Sequence, residues 1–124
     1  MGTIRSHRDL RVYQASFGVA VEIFNLTVSF PREEKYSLTD QIRRSSRSVS
    51  ANLAEAFRKR RYEKAFVAKL SDAEGEAAET QVWLDFCLEH QYTTKEVHDQ
   101  LSEKYNVILN QILSMIITPD KWSY

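Results

Sequence analysis

Eight cationic side chains between positions 43 and 64 carry the strongest chemical signal in this sequence: Arg43, Arg44, Arg47, Arg58, Lys59, Arg60, Arg61 and Lys64. Guanidinium and ammonium groups in such density suit phosphate oxygens. Placed on one helix at 100° per residue, Arg43, Arg47, Arg58 and Arg61 fall within about 60° of arc and extend over roughly 27 Å. Ile42, Val49, Leu53 and Ala56 cluster on nearly the opposite side. One face of such a helix packs a core while the other presents a basic stripe to RNA or DNA. Tyr62 sits among the cations, where its ring could stack on a base. Arg5, His7, Arg8 and Arg11 could extend the surface from the N-terminus. A second use of the same cations stays open: pairing with Glu33, Asp40, Glu63 or a neighbouring subunit's acidic third helix. The apolar face is needed for packing, so no membrane partner is expected.

Other chemistry is sparse. A di-metal site in a helical bundle needs Glu-x-x-His pairs, and none of His7, His90 and His98 follows a Glu by three positions. Glu55 and Glu79 are isolated carboxylates that could face inward, with capping or interhelical hydrogen bonding as their expected role. Cys87 is the sole cysteine and falls at a core-type position, where a thiol behaves as a small hydrophobe. No glycine-rich phosphate loop occurs. The expectation is a protein that is not an enzyme, with no metal and no cofactor.

The charge is balanced overall but unevenly placed. Residues 1–64 carry 13 Lys and Arg against 7 Asp and Glu, and residues 65–124 carry 4 against 10. Such asymmetry suits nucleic acid, and equally suits mutual neutralisation of the two halves within or between subunits. There is no leader-like charged-then-apolar segment and no apolar run of about 18 residues. With one cysteine, the chain suits a reducing cytoplasm.

The elements that must position these groups are helices. Only three Gly and two Pro punctuate 124 residues, which favours long helices in one domain, 1–124. Four segments show helical periodicity, at about 8–29, 37–60, 62–91 and 94–117. In the first, Leu10, Tyr13, Phe17, Ala20, Phe24 and Thr27 form the expected bundle seam. A second stripe, Val12, Val19, Ile23 and Leu26, suits a contact between subunits, or a core face that is merely wide. In the second, Leu38, Ile42, Ser46, Val49, Leu53 and Ala56 form the seam, and many small residues keep the helix thin. Ser37 with Asp40 resembles a cap. In the third, Gly75 lies within the seam pattern and predicts close helix contact, since glycine costs about 1 kcal/mol there. Thr93 or Thr94 can cap the fourth. Trp122 and Tyr124 close the tail. The expected class is all-α, an antiparallel up-down-up-down four-helix bundle.

Several motifs carry a family resemblance over nearly the whole chain. They are Asp9-Leu10-Arg11-Val12-Tyr13-Gln14, Phe30-Pro31 with Glu34-Lys35-Tyr36-Ser37-Leu38, Gln41-Ile42-Arg43-Arg44-Ser45-Ser46, and Ser48-Val49-Ser50-Ala51-Asn52-Leu53-Ala54-Glu55. Ala73-Glu74-Gly75 with Glu79-Thr80-Gln81 adds a third-helix motif. Together they resemble the four-helix-bundle proteins encoded in intervening sequences of bacterial large-subunit ribosomal RNA genes. Ala56 stands where the family usually has Gly, and Glu76 where it often has Ser. The resemblance implies a helical subunit that assembles with itself as a ring, typically a homopentamer. The architecture is also similar to the accessory proteins of diversity-generating retroelements, which bind nucleic acid and a reverse transcriptase. Two functions follow as expectations: a ring that binds RNA or DNA through the basic stripe, or a scaffold or adaptor ring that binds a protein partner.

Overall fold

A computed structural model describes residues 4–123. Four α-helices make up the chain: α1 (Arg11–Thr27), α2 (Leu38–Arg58), α3 (Glu63–Glu89) and α4 (Lys95–Ile117). Single 3-10 turns at His7–Asp9, Arg32–Glu34 and Pro119–Lys121 flank them. No strand occurs among the described residues. The four helices lie within three residues of their expected bounds. Tyr124 falls outside the described residues, and Trp122 is partly buried against the core.

Helix α1 packs on α2 and α4, and α3 packs on α2 and α4. Side-chain pairs mark each seam. Ser16 meets Ser50 at 2.9 Å and Arg43 meets Thr27 at 2.8 Å between α1 and α2. Thr80 meets Ser45 at 2.8 Å and Lys69 meets Glu55 at 2.7 Å between α2 and α3. Gln81 donates to the Ser102 carbonyl at 3.1 Å, and His98 meets Asp85 at 2.8 Å, between α3 and α4. Lys104 reaches Glu22 at 2.7 Å between α4 and α1. The core fills with Ile23, Ile42, Leu53, Leu70, Leu84, Tyr105, Ile108 and Ile112, all essentially inaccessible. Helix α2 is thin as expected, with Ser45, Ser46 and Ser50 buried.

Helix α1 is rotated from the expected face. Val12, Val19 and Ile23, read as a subunit contact or as part of a wide core face, are buried in the chain's own core, as are Leu10 and Thr27 of the expected seam. Leu26 packs against that core, partly buried. The exposed stripe is Phe17, Val21 and Phe24, at 54%, 46% and 39% exposure. Both stripes fit the helical period, so the period alone does not choose between them. In the observed rotation Ser16 lies against Ser50 of the thin α2, on the same inward side as Val12, Val19 and Ile23.

Smaller expectations also change. Ser37 does not cap α2 with its side chain. Its hydroxyl donates instead to Glu34 at 2.6 Å, and the Glu34 carboxylate accepts from the Leu38 N–H at 3.3 Å. Gly75 has no close neighbour, because an added Cβ would meet nothing within 4 Å. Thr94 does cap α4, accepting from the Val97 N–H. The α3–α4 turn places Gln91 at φ 63°, and the Tyr92 N–H closes it onto the Cys87 carbonyl at 2.8 Å. That is a Schellman stop with Gln in the left-handed position glycine usually takes.

Candidate nucleic-acid interface

The basic residues divide into two groups. Arg43, Arg44 and Arg47 lie along the first half of α2. Arg58, Lys59, Arg60, Arg61 and Lys64 gather where α2 turns into α3. The first group is largely committed within the chain. Arg43 lies 4.3 Å over the Phe24 ring while its Nε donates to Thr27. Arg44 bridges two acidic side chains of α3, at 3.1 Å from Glu76 and in direct contact with Glu79. The acidic third helix thus meets the stripe inside one subunit. Arg47 is exposed and lies 5.7 Å from the Phe24 ring. Glu55 and Glu79, weighed as inward carboxylates, turn to Lys69 and Arg44 instead.

The second group caps one end of the bundle. Helix α2 stops when the Lys59 N–H closes on the Glu55 and Ala56 carbonyls. The chain turns through Arg60 and Arg61, and Tyr62 enters α3 in extended geometry. Arg60 is fixed by stacking 3.6 Å over the Phe57 ring and by donating from Nε to the Phe57 carbonyl at 2.8 Å. Arg61 lies 5.9 Å from the Tyr62 ring. Arg58, Lys59 and Lys64 are exposed, and so is Tyr62 at 63%.

Both termini add to this end. A cleft brings Arg60 and Lys121 together with Ile4, Thr118 and Trp122. A neighbouring cleft places Arg11 and Asp9 against Trp122. Arg5, Arg8 and Arg11 are exposed on the N-terminal turn, which packs against α2. Among the described residues, ten cations, Lys69 included, therefore share this end with four carboxylates: Asp9, Glu55, Glu63 and Asp120. Two of the four are occupied. Asp9 accepts the Arg5 and Ser6 N–H groups, which hold its carboxyl below the usual range. Glu55 accepts from Lys69, which lowers it likewise. Lys121 was missed in the sequence because it follows the helix-ending Pro119 and reads as tail.

A second surface runs along the α1–α2 seam. An open groove of about 520 Å³ is lined by Tyr13, Phe17, Val21 and Phe24 from α1 and by Arg47, Ser50, Ala51 and Ala54 from α2. It is apolar except at the Arg47 rim. Cys87 offers no nucleophile beside either surface, since burial pushes its thiol up to about 12. No group of three or more metal-ligating side chains converges among the described residues. No helix among them is long and apolar enough to cross a membrane.

Comparison with known proteins matches residues 8–114 to the family described as 23S rRNA-intervening sequence protein. Among solved structures, the chain is similar to a protein of unknown function from the S23 ribosomal protein family of Bacteroides thetaiotaomicron. The two share 32% identity and superpose with a TM-score of 0.78, over 86% of this chain and 96% of that one. No curated protein matches.

Proposed function

Because the chain belongs to the 23S rRNA-intervening sequence protein family, we propose that it is a non-enzymatic bundle that assembles with itself as a ring and binds RNA or DNA. The binding surface is the basic end of the bundle, in the cytoplasm. The observation that carries this reading is that exposed Arg58, Lys59, Lys64 and Tyr62 lie at the α2–α3 turn, at the same end as the cleft joining Arg60 with Lys121 and as exposed Arg5, Arg8 and Arg11 of the N-terminal segment. Cations on three separate segments make phosphate contacts in more than one direction. The aromatic ring supplies a stacking face that tolerates any base.

The paired residues support an antiparallel up-down-up-down course. Along every seam, rising numbers on one helix meet falling numbers on the next, as in Ser16–Ser50 and Thr27–Arg43. The exposed apolar groove of α1 and α2 supports self-assembly through Phe17, Val21 and Phe24 in place of the buried Val12, Val19 and Ile23. A ring would multiply the basic ends, so that weak sites act together. A scaffold ring for a protein partner is the second reading. It is favoured by the in-chain use of Arg43 and Arg44, which occupies two of the eight cations. Retention of labelled single- and double-stranded oligonucleotides at low salt tests between the two. Retention that falls steeply with added salt supports the first reading. No retention of any oligonucleotide leaves the scaffold.

A further inference from the structure

At the end of the bundle opposite the cations lies a pocket of about 390 Å³, lined by Glu34, Tyr36, Gln41, Trp83, Phe86 and His90 among others. Helix α3 builds one wall as a ladder of rings. Trp83 and Phe86 have centroids 6.0 Å apart, and Phe86 stacks on His90 at 6.0 Å with 24° between planes. Phe86 is 46% exposed, and Tyr36 stands 85% exposed on the other side. Glu34 lies at the base, fixed by hydroxyl donation from Ser37 at 2.6 Å and Tyr92 at 2.9 Å. At this end of the bundle Glu33 and Glu89 are exposed beside Arg32 and Lys35, and the Lys35 ammonium already lies 5.3 Å over the Tyr36 ring.

Aromatic faces beside carboxylates take a cation, and the same carboxylates repel a phosphate backbone. The chain itself carries the complementary group. Arg58, the last residue of α2, and Lys59, its C-cap, are exposed at the far end of the same bundle. Opposite poles at opposite ends can meet between copies without bending either one. Such a head-to-tail contact repeats from copy to copy, as an open stack when its rotation does not close. The geometry points to the aromatic pocket as the docking site for the α2–α3 turn of a second copy, whose Arg58 and Lys59 enter against Phe86 and Glu34. Copies, or whole rings, then stack end to end. This rests on the reading of the basic end as a phosphate surface only in its consequence: nucleic acid and stacking compete for Arg58 and Lys59.

Sedimentation of the full chain at about 20 mM and about 500 mM salt reads the contact directly, because screening shortens the reach of these charges from beyond 10 Å to a few ångströms. The wild type is expected to show a mean mass about twofold or more higher at low salt, whatever its state at high salt. Glu33→Lys with Glu89→Lys, both exposed, should hold the high-salt mass at low salt, with unchanged circular dichroism and undiminished oligonucleotide retention. Arg58→Glu with Lys59→Glu should lose stacking and, because the same two cations face phosphate in the proposed function, also weaken oligonucleotide retention; mixing the two variants should restore stacking. A wild-type mass independent of salt, or stacking that survives the acidic-end substitutions, overturns the proposal. Neither result bears on whether the basic end holds nucleic acid.

Discussion

The guanidinium of Arg43 lies 4.3 Å over the ring of Phe24. A residue of the basic stripe is thereby spent on an exposed aromatic of the neighbouring helix. That contact joins the two surfaces of this protein, because Phe24 lines the α1–α2 groove and Arg47 forms its rim. It also separates the cations that hold the bundle together from those left at its end.

The two stripes of α1 should respond oppositely to substitution. Ile23 is fully buried, and Ile23→Ala should cost about 2–5 kcal/mol in denaturant unfolding. Phe17→Ser and Val21→Ser sit on the exposed stripe and should change subunit stability by about 0.5 kcal/mol or less. If the groove is the contact between subunits, those two should lower the assembly mass in light scattering. An assembly unchanged by both would move the contact elsewhere.

The fold was legible where period and capping agreed. Thr94 marked the start of α4, and the second-helix seam of Leu38, Ile42, Ser46, Val49, Leu53 and Ala56 matched the buried residues of α2. The face of α1 was not legible, because Tyr13-Phe17-Ala20-Phe24 and Val12-Val19-Ile23 both fit a helix. Which one turns inward depends on packing against helices distant in sequence, where Ser16 meets Ser50, 34 residues away. The basic end was half legible. The run Arg58–Arg61 stood out, but its meeting with Lys121 depends on the return of α4 to the same end. Nor could the stripe show that Arg44 faces Glu76 and Glu79 of its own chain.

The Ser16–Ser50 pair is buried, with the two hydroxyl oxygens 2.9 Å apart. Ser50→Ala should cost about 0.5–1.5 kcal/mol, because one buried hydrogen bond is lost while the Ser16 hydroxyl keeps its donation to the Tyr13 carbonyl at 2.8 Å. Replacing both serines by Ala should cost less than the sum of the single changes. A double-mutant cycle by urea unfolding measures the difference, and additive single effects would mean the pair carries no coupling.

His98 clasps α3 to α4. Its Nε2 lies 2.8 Å from Asp85 and its Nδ1 2.8 Å from Asp99, which also pairs with Lys95. Burial pushes the imidazole down, but the hydrogen bonds to Asp85 and Asp99 outweigh it, and the net shift is upward from 6.5. A folded value above the unfolded one means the clasp stabilises fully below pH 6.5, and the gain is lost as pH rises through the folded value. Unfolding midpoints should therefore fall across that window in the wild type. In His98→Gln they should stay flatter. Equal slopes in both proteins would remove the clasp from the account.

The salt dependence of nucleic-acid affinity tests the central claim most directly. Each phosphate neutralised at the basic end contributes a slope of about −0.9 in a log–log plot for duplex DNA, or about −0.7 for a single strand. Arg58→Ala with Lys59→Ala removes two exposed cations and leaves the Arg60 stack on Phe57 in place. Measured by fluorescence anisotropy in dilute protein, the slope should become shallower by about two contacts' worth, with subunit mass unchanged. A slope identical to wild type, or no measurable affinity for any oligonucleotide at low salt, would contradict a phosphate-binding end.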